Sequence, residues 1–256
     1  MKPVVFGIGI SLRGREPERV EACLASLEAQ SYPAAQIVLA EEGENAQVRR
    51  LCERYRAEYI SVPHQPGPFN KSFVSNVTIR ALRPEVDQFA QCDVDVVADP
   101  ELLRRLADIL QRTGRDQVIS VRPRRLPPVR CLGTPFSELV AVARDWGDHS
   151  AWGMFLTHSK EKVVQLRGFK EAMAGWGWED TDYVMRARNA GMVVRMADLG
   201  PMVLHQWHRP ADRSHVQRNR SLAGKDNDNG DEWGMLSARS RGGAARPETV
   251  AQDHPR

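Results

Sequence analysis

Along the first 115 residues, short apolar runs alternate with stretches whose apolar residues recur every three or four positions. Val4-Val5-Phe6-Gly7-Ile8-Gly9-Ile10 carries no polar side chain, as expected for a strand covered on both faces. Pro17 then opens a helix in which Val20, Leu24 and Leu27 share a face. Ile37–Ala40 predicts a second strand, ending in Glu41-Glu42-Gly43. Val48, Leu51, Cys52 and Tyr55 mark the next helix, and Tyr59–Val62 a third strand cut off by Pro63. A loop rich in proline and glycine, His64 to Phe69, leads to a helix from about Lys71 to Leu82. Phe89–Cys92 predicts a further strand that ends at Asp93-Val94-Asp95. Asp99 and Pro100 then cap a helix bearing Leu102, Leu103, Leu106 and Leu110. This order implies an α/β fold with a doubly wound, mostly parallel sheet. Ligands of such sheets collect at the carboxyl ends of the strands, where Glu41, Asp93 and Asp95 are expected to face one crevice.

The second half is less regular. Val118–Val121 reads as a strand, followed by the basic, proline-rich loop Arg122–Pro128. Trp152–Leu156 predicts another strand before a short helix from Ser159. Tyr183, Val184 and Ala187 would share a helix face, with Gly191 as a left-handed stop. From about Asp226 the chain is rich in Gly, Asp, Arg and Pro, and its end is expected to be disordered.

Composition narrows the picture modestly. With 256 residues, 41% of them hydrophobic, the chain can bury one sizeable α/β core. A net charge of +3 gives no reason to expect a nucleic-acid partner, and Arg209, Arg213, Arg218 and Arg220 read as a solvated basic stretch. Cys23, Cys52, Cys92 and Cys131 lie far apart without zinc spacing, so free thiols in a reducing compartment are expected. No apolar run approaches the ~20 residues of a membrane span, and the N-terminus reads as a strand in place of a signal peptide. Those features predict a cytoplasmic protein; they leave its oligomeric state open.

The candidate chemistry lies in three places. Gly175-Trp176-Gly177-Trp178-Glu179-Asp180-Thr181-Asp182 sets two indoles before three acids at a helix start. The helix dipole accounts for the acids in part. Two adjoining indoles suit a sugar face beside a carboxylate base, although an acidic cap next to core tryptophans would look the same. Asp93-Val94-Asp95 places two carboxylates on one side if strand geometry persists, a set suited to Mg²⁺ or Mn²⁺ on nucleotide phosphates. His205 and His208 flank Trp207 and could complete a metal shell, or could be ordinary surface or core histidines. Gly7, Gly9 and Gly14 do not form a dinucleotide fingerprint because position 12 is leucine, and no phosphate-binding loop or nucleophile elbow is present.

Together these motifs make the chain resemble, over roughly residues 3 to 210, a GT-A glycosyltransferase of the family 2 type. Its second half is similar to the C-terminal region of β-1,4-galactosyltransferases and chondroitin-polymerase-like enzymes. The resemblance implies a nucleotide-binding half (1–115) and an acceptor and catalytic half (116–225); the tail (226–256) has no counterpart in the family, and its composition predicts that it is flexible. It implies an inverting, metal-dependent transfer from a UDP-sugar to an acceptor hydroxyl, with Asp180 as the base. The donor would be held by Ser11, Arg13, Glu41 (with Glu42 adjacent), Asn70, Lys71, Asn76, Asp93, Val94, Asp95 and Trp152. Trp176, Trp178, Glu179 and Asp182 would contact the acceptor, the two acids alternatively fixing the loop. Mn²⁺ (or Mg²⁺) would sit on Asp95 and His205, with Asp93, Met202 and His208 as further candidates. Trp178 departs from the family pattern, in which many relatives carry glycine there. Two rival readings remain: a sugar-phosphate nucleotidyltransferase, for which a glycine-rich basic loop after the first strand is wanting, and a non-catalytic sugar-nucleotide or glycan-binding module.

Overall fold

The computed structural model describes residues 2–147 and 152–237. Four strands build the first half: β1 (Phe6–Leu12), β2 (Gln36–Glu42), β3 (Glu58–Val62) and β4 (Gln88–Asp93). They are linked by α1 (Pro17–Glu28), α2 (Ala46–Arg54) and α3 (Lys71–Arg80). A turn leads into β5 (Val96–Ala98) and α4 (Leu102–Thr113). The second half adds β6 (Gln117–Val121), β7 (Arg124–Arg125), α5 (Phe136–Val142) and β8 (Arg144–Asp145). There follow β9 (Phe155–Ser159), α6 (Lys160–Gln165), α7 (Glu179–Asn189), β10 (Val193–Ala197), β11 (Val203–His205) and α8 (Val216–Leu222).

The main sheet has seven strands in the order β10-β6-β9-β4-β1-β2-β3, all parallel to their neighbours except β9, which runs against β4 and β6. The expected α/β architecture is therefore present with one reversed strand. A second sheet, β5-β11-β7-β8, stands beside the main sheet's carboxyl edge and is made of strands two or three residues long.

Period-two burial decides which helices lie where. Phe6, Ile8, Ile10 and Leu12 point into a core shared with Val20, Leu24 and Leu27 of α1 and Leu102, Leu103, Leu106 and Leu110 of α4. The opposite face of β1 is Gly7 and Gly9, and α3 closes on it. A Cβ on Gly9 would overlap Thr78 and Phe89, and one on Gly7 would meet Leu82 and Val86. Glycine here lets a helix lie directly on the strand. Tyr183, Val184 and Ala187 of α7 fill a separate core with Phe89, Val118, Leu156 and Trp233.

Trp233 corrects the expected boundary of the tail. It is 5% exposed, and Arg80 donates to the carbonyls of Trp233 and Asp231. Asn229, also buried, bonds Arg167 and Phe169 carbonyls. Residues 226–237 are thus packed onto α3 and the loop before α7, because their few apolar and amide side chains find partners there; residues 238–256 lie outside the described residues. Among the described residues no helix is long and apolar enough to cross a membrane.

Candidate active site

The parallel register brings chemistry to one edge: Leu12 pairs with Glu41 and Ser11 with Asp93. The chain turns immediately after Asp93, so the alternation that would put Asp93 and Asp95 on one side ends there. The two carboxylates take different partners. Asp93 pairs with Lys71 Nζ at 2.7 Å. Asp95 faces two imidazoles, His205 Nε2 at 3.4 Å and His208 Nε2 at 3.2 Å.

Local folding explains the histidine pair. β11 runs antiparallel to β5 with His205 opposite Val96, and the Gln206 amide donates to the Asp95 carbonyl at 2.7 Å. Gln206 Nε2 bonds the Arg19 carbonyl, which fixes the segment that carries His208. Ligand atoms of Asp95, His205 and His208 lie within 4.8 Å of one another. Asp95 Oδ1 is buried without a hydrogen bond. Burial opposes ionisation of Asp95, yet the two imidazoles hold its carboxyl well below the usual carboxylate range. Asp95 in turn raises His208. A buried, ionised carboxylate with an unsatisfied oxygen, between two imidazole nitrogens, is a donor set that fits a divalent transition metal. Trp146 lies edge-on to His205 at 5.0 Å.

Met202 stands opposite Asp99, just before β11, and packs against the first core.

Lys71 is the hub of the other carboxylates. It stands 3.4 Å from Glu179 as well as on Asp93. Burial works against its charge, but Asp93, Glu179 and Asp180 hold the ammonium above its ordinary value. Asp180 is half-buried in the first turn of α7, where Oδ1 accepts from the Thr181 amide at 2.7 Å. Burial first, then Glu179, pushes its carboxyl up to about 6, against the pull of Lys71. An acid of that strength can hold or accept a proton near neutrality. Gly153 abuts it: a Cβ there would sit 2.6 Å from Asp180 Oδ2.

Several expected contacts fall elsewhere. Asp182 is fully buried, ion-paired to Arg186 (2.8 Å) and Lys170 (3.6 Å), and accepts the Gly224 amide, so it fixes the loop and cannot touch an acceptor. Asn76 is fully buried and clamps Phe169 and Glu171, which removes it from the donor face. Asn70 caps α3 by accepting the Phe73 amide and donates to the Glu171 carbonyl. The Val94 side chain belongs to the first core. Glu41 is buried and accepts from the Tyr59 hydroxyl at 2.8 Å. Its neighbour Glu42 accepts the Gln65 amide, faces Arg13 at 3.6 Å and keeps Oε2 unsatisfied.

Ser11 shares a hydrogen bond with Ser75, and Arg13 donates to the Gly67 carbonyl beside the Phe69 ring. Trp152 packs on the second core beneath Arg188. Trp176 is 48% exposed, and Trp178, in a left-handed conformation (φ 76°), precedes α7. Trp146 and Gly153 escaped sequence reasoning; a Trp-Gly pair at each position was the available signal.

Two family models match: "Glycosyl transferase family 2" over residues 10–130 and "N-terminal domain of galactosyltransferase" over residues 143–208. No curated protein matches the sequence. Among solved structures, S. aureus TarS aligns at TM-score 0.61 and 14% identity, covering 80% of this chain and 37% of TarS. TarS 1–349 in complex with UDP-GlcNAc aligns at 0.58 and 12% identity, over 81% of this chain and 60% of that one. The catalytic domain of Drosophila β1,4-galactosyltransferase 7, in complex with xylobiose, aligns at 0.55 and 17% identity, over 88% and 82%. The chain spans little more than a third of full-length TarS. The fold is that of the GT-A glycosyltransferases it aligns with, and the two glycosyltransferase family models match successive segments of the chain, residues 10–130 and 143–208.

Proposed function

We propose that the chain is an inverting glycosyltransferase that moves a sugar from a UDP-sugar to an acceptor hydroxyl. What carries the reading is Asp180, a half-buried carboxyl with a value near 6, in a carboxylate–lysine cluster that also holds the strand-terminal Asp93. Asp180 accepts the hydroxyl proton as that oxygen bonds the anomeric carbon. The bond from that carbon to the diphosphate oxygen breaks on the opposite side, and UDP departs with its electron pair. Lys71 pairs with Asp93 and Glu179 beside the base. Ser11, Arg13 and Glu42 orient the nucleoside, with Glu42 and not Glu41 facing it. A divalent cation held by Asp95, His205 and His208 would neutralise the departing diphosphate. Two imidazoles favour Mn²⁺ over Mg²⁺, which prefers an all-oxygen shell. The bound UDP-GlcNAc of TarS 1–349 and the xylobiose of β1,4-galactosyltransferase 7 are consistent with a nucleotide-sugar donor and a carbohydrate acceptor.

The test is a panel of UDP-sugars with Mn²⁺, reading UDP release with and without chelator. Release from one or a few donors, abolished by EDTA, is expected. Pyrophosphate formation from UTP and a sugar phosphate, with no UDP from any donor, would overturn the reading in favour of nucleotidyl transfer.

A further inference from the structure

The segment from Arg209 to Leu222 takes no part in the chemistry above, yet it is built onto the tryptophan loop. Buried Asn219 donates from Nδ2 to the carbonyls of Ala174 (3.2 Å) and Gly177 (3.0 Å). Arg218 donates to the Ala172 carbonyl at 3.0 Å. A Cβ on Gly175 would lie 2.7 Å from the His215 side chain, so loop and segment are in direct contact. On this platform the Arg213 guanidinium lies over the Trp176 ring at 4.9 Å and that of Arg220 over Trp178 at 5.5 Å.

Two observations make these stacks more than surface decoration. The first is charge without partners. Arg213 and Arg220 are exposed, and among the described residues neither meets a carboxylate. The segment sets Arg209, Arg213, Arg218 and Arg220 against one acid, Asp212, whose carboxylate is turned back onto the Ser214 amide and hydroxyl. The second is backbone strain. Trp178 holds φ at 76°, a conformation that glycine adopts without steric cost, and its side chain makes no cap hydrogen bond. Nothing local favours an indole there; strain of this kind is retained where the side chain has work outside the backbone.

We infer that the acceptor is an anionic carbohydrate, presenting a carboxylate or phosphate to Arg213 and Arg220 while its sugar ring lies along Trp176 and Trp178. The assignment rests on the transferase reading, since Trp178, beneath Arg220, stands two residues before the proposed base. A guanidinium is planar and weakly hydrated and matches either anion with two parallel hydrogen bonds. Stacking on an indole fixes its orientation beforehand, so less freedom is lost when the anion binds. A neutral sugar would leave both cations uncompensated.

The experiment uses the full chain and three oligosaccharides of one sequence, terminated by a neutral hexose, the matching uronic acid, or the matching hexose phosphate. Binding is read by tryptophan fluorescence, in wild type and in the Arg213→Gln/Arg220→Gln double variant, at low and high salt. At least one charged probe should bind roughly ten-fold more tightly than the neutral one, a typical gain for hydrogen bonds to charged groups. That advantage should vanish in the double variant and shrink at high salt. Whichever charged probe gains identifies carboxylate or phosphate. Equal binding of all three, no binding of any, or an advantage that survives the double variant overturns the inference. UDP release is measured separately: its absence beside charge-selective binding would fail the transferase reading and leave the anion site standing.

Discussion

Gly153→Ala tests whether the position of Asp180 matters, without touching Asp180 itself. Gly153 is not among the glycines with positive φ, so alanine meets no backbone strain. Its new methyl group would lie 2.6 Å from Asp180 Oδ2 and 2.9 Å from Asp180 Cβ, against an ordinary contact of 3.4–4 Å. The carboxylate oxygen can swing aside, but Cβ is fixed to the first turn of α7, so the helix start or the Gly153 backbone must give by about 0.5 Å, the tolerance of a productive catalytic geometry. A misplacement of about 1 Å costs roughly 10²-fold, so half of it predicts a loss of about ten-fold in turnover. The assay is steady-state UDP release at saturating donor, with donor affinity followed by thermal shift. Turnover should fall while donor affinity and the folded circular-dichroism spectrum stay at wild-type values. A folded Gly153→Ala protein with undiminished turnover would refute the claim that Asp180 must be held where it is.

Other expectations follow from the same geometry. Because Asp180 is pushed up to about 6, it carries a proton below that pH and cannot accept another. Turnover should rise as pH climbs through 6 and level off above it; a flat profile from pH 5 to 8 would contradict this. The raised value also means that ionised Asp180 costs folding free energy above the unfolded carboxyl's value, so Asp180→Asn should be at least as stable as wild type at pH 7, as urea unfolding can check. His205→Ala and His208→Ala should each weaken Mn²⁺ binding, measured by calorimetry, whereas Met202→Leu should not; the reverse ranking would return Met202 to the metal. Asp182→Ala leaves Arg186 and Lys170 buried beside no carboxylate, and should lower unfolding stability by about 3–5 kcal/mol. A change below about 1 kcal/mol would show that Asp182 does not anchor the loop.

The alternation of β1 to β4 with α1 to α3 was legible because buried strands such as β1 leave continuous apolar runs, and α1 and α2 each carry an apolar stripe; α3, buried from Ser72 to Ile79, does not. Reversal of β9 was not, since a buried strand has the same composition whichever way it runs. Nor was the second sheet, whose strands of two or three residues are too short to show a period. At the site, Asp95 meets both candidate histidines, and Lys71 meets Asp93 and Glu179. Asn76 lies away from the donor face and Asp182 takes the loop-fixing alternative, and their sequence contexts give no sign of either. What excludes them is burial against Phe169, Lys170 and Arg186, partners more than ninety residues away for Asn76. Between Glu41 and Glu42 the sequence offers no distinction, whereas in the fold the Tyr59 hydroxyl bonds the first.

The central claim is that Asp180 removes the acceptor proton. Turnover of Asp180→Asn, beside donor affinity measured on the same preparation, tests it most directly. General-base assistance is worth roughly 10²–10⁴-fold, so turnover should fall by ~10²-fold or more while the UDP-sugar still binds with wild-type affinity. Wild-type turnover in a folded Asp180→Asn protein would contradict the account.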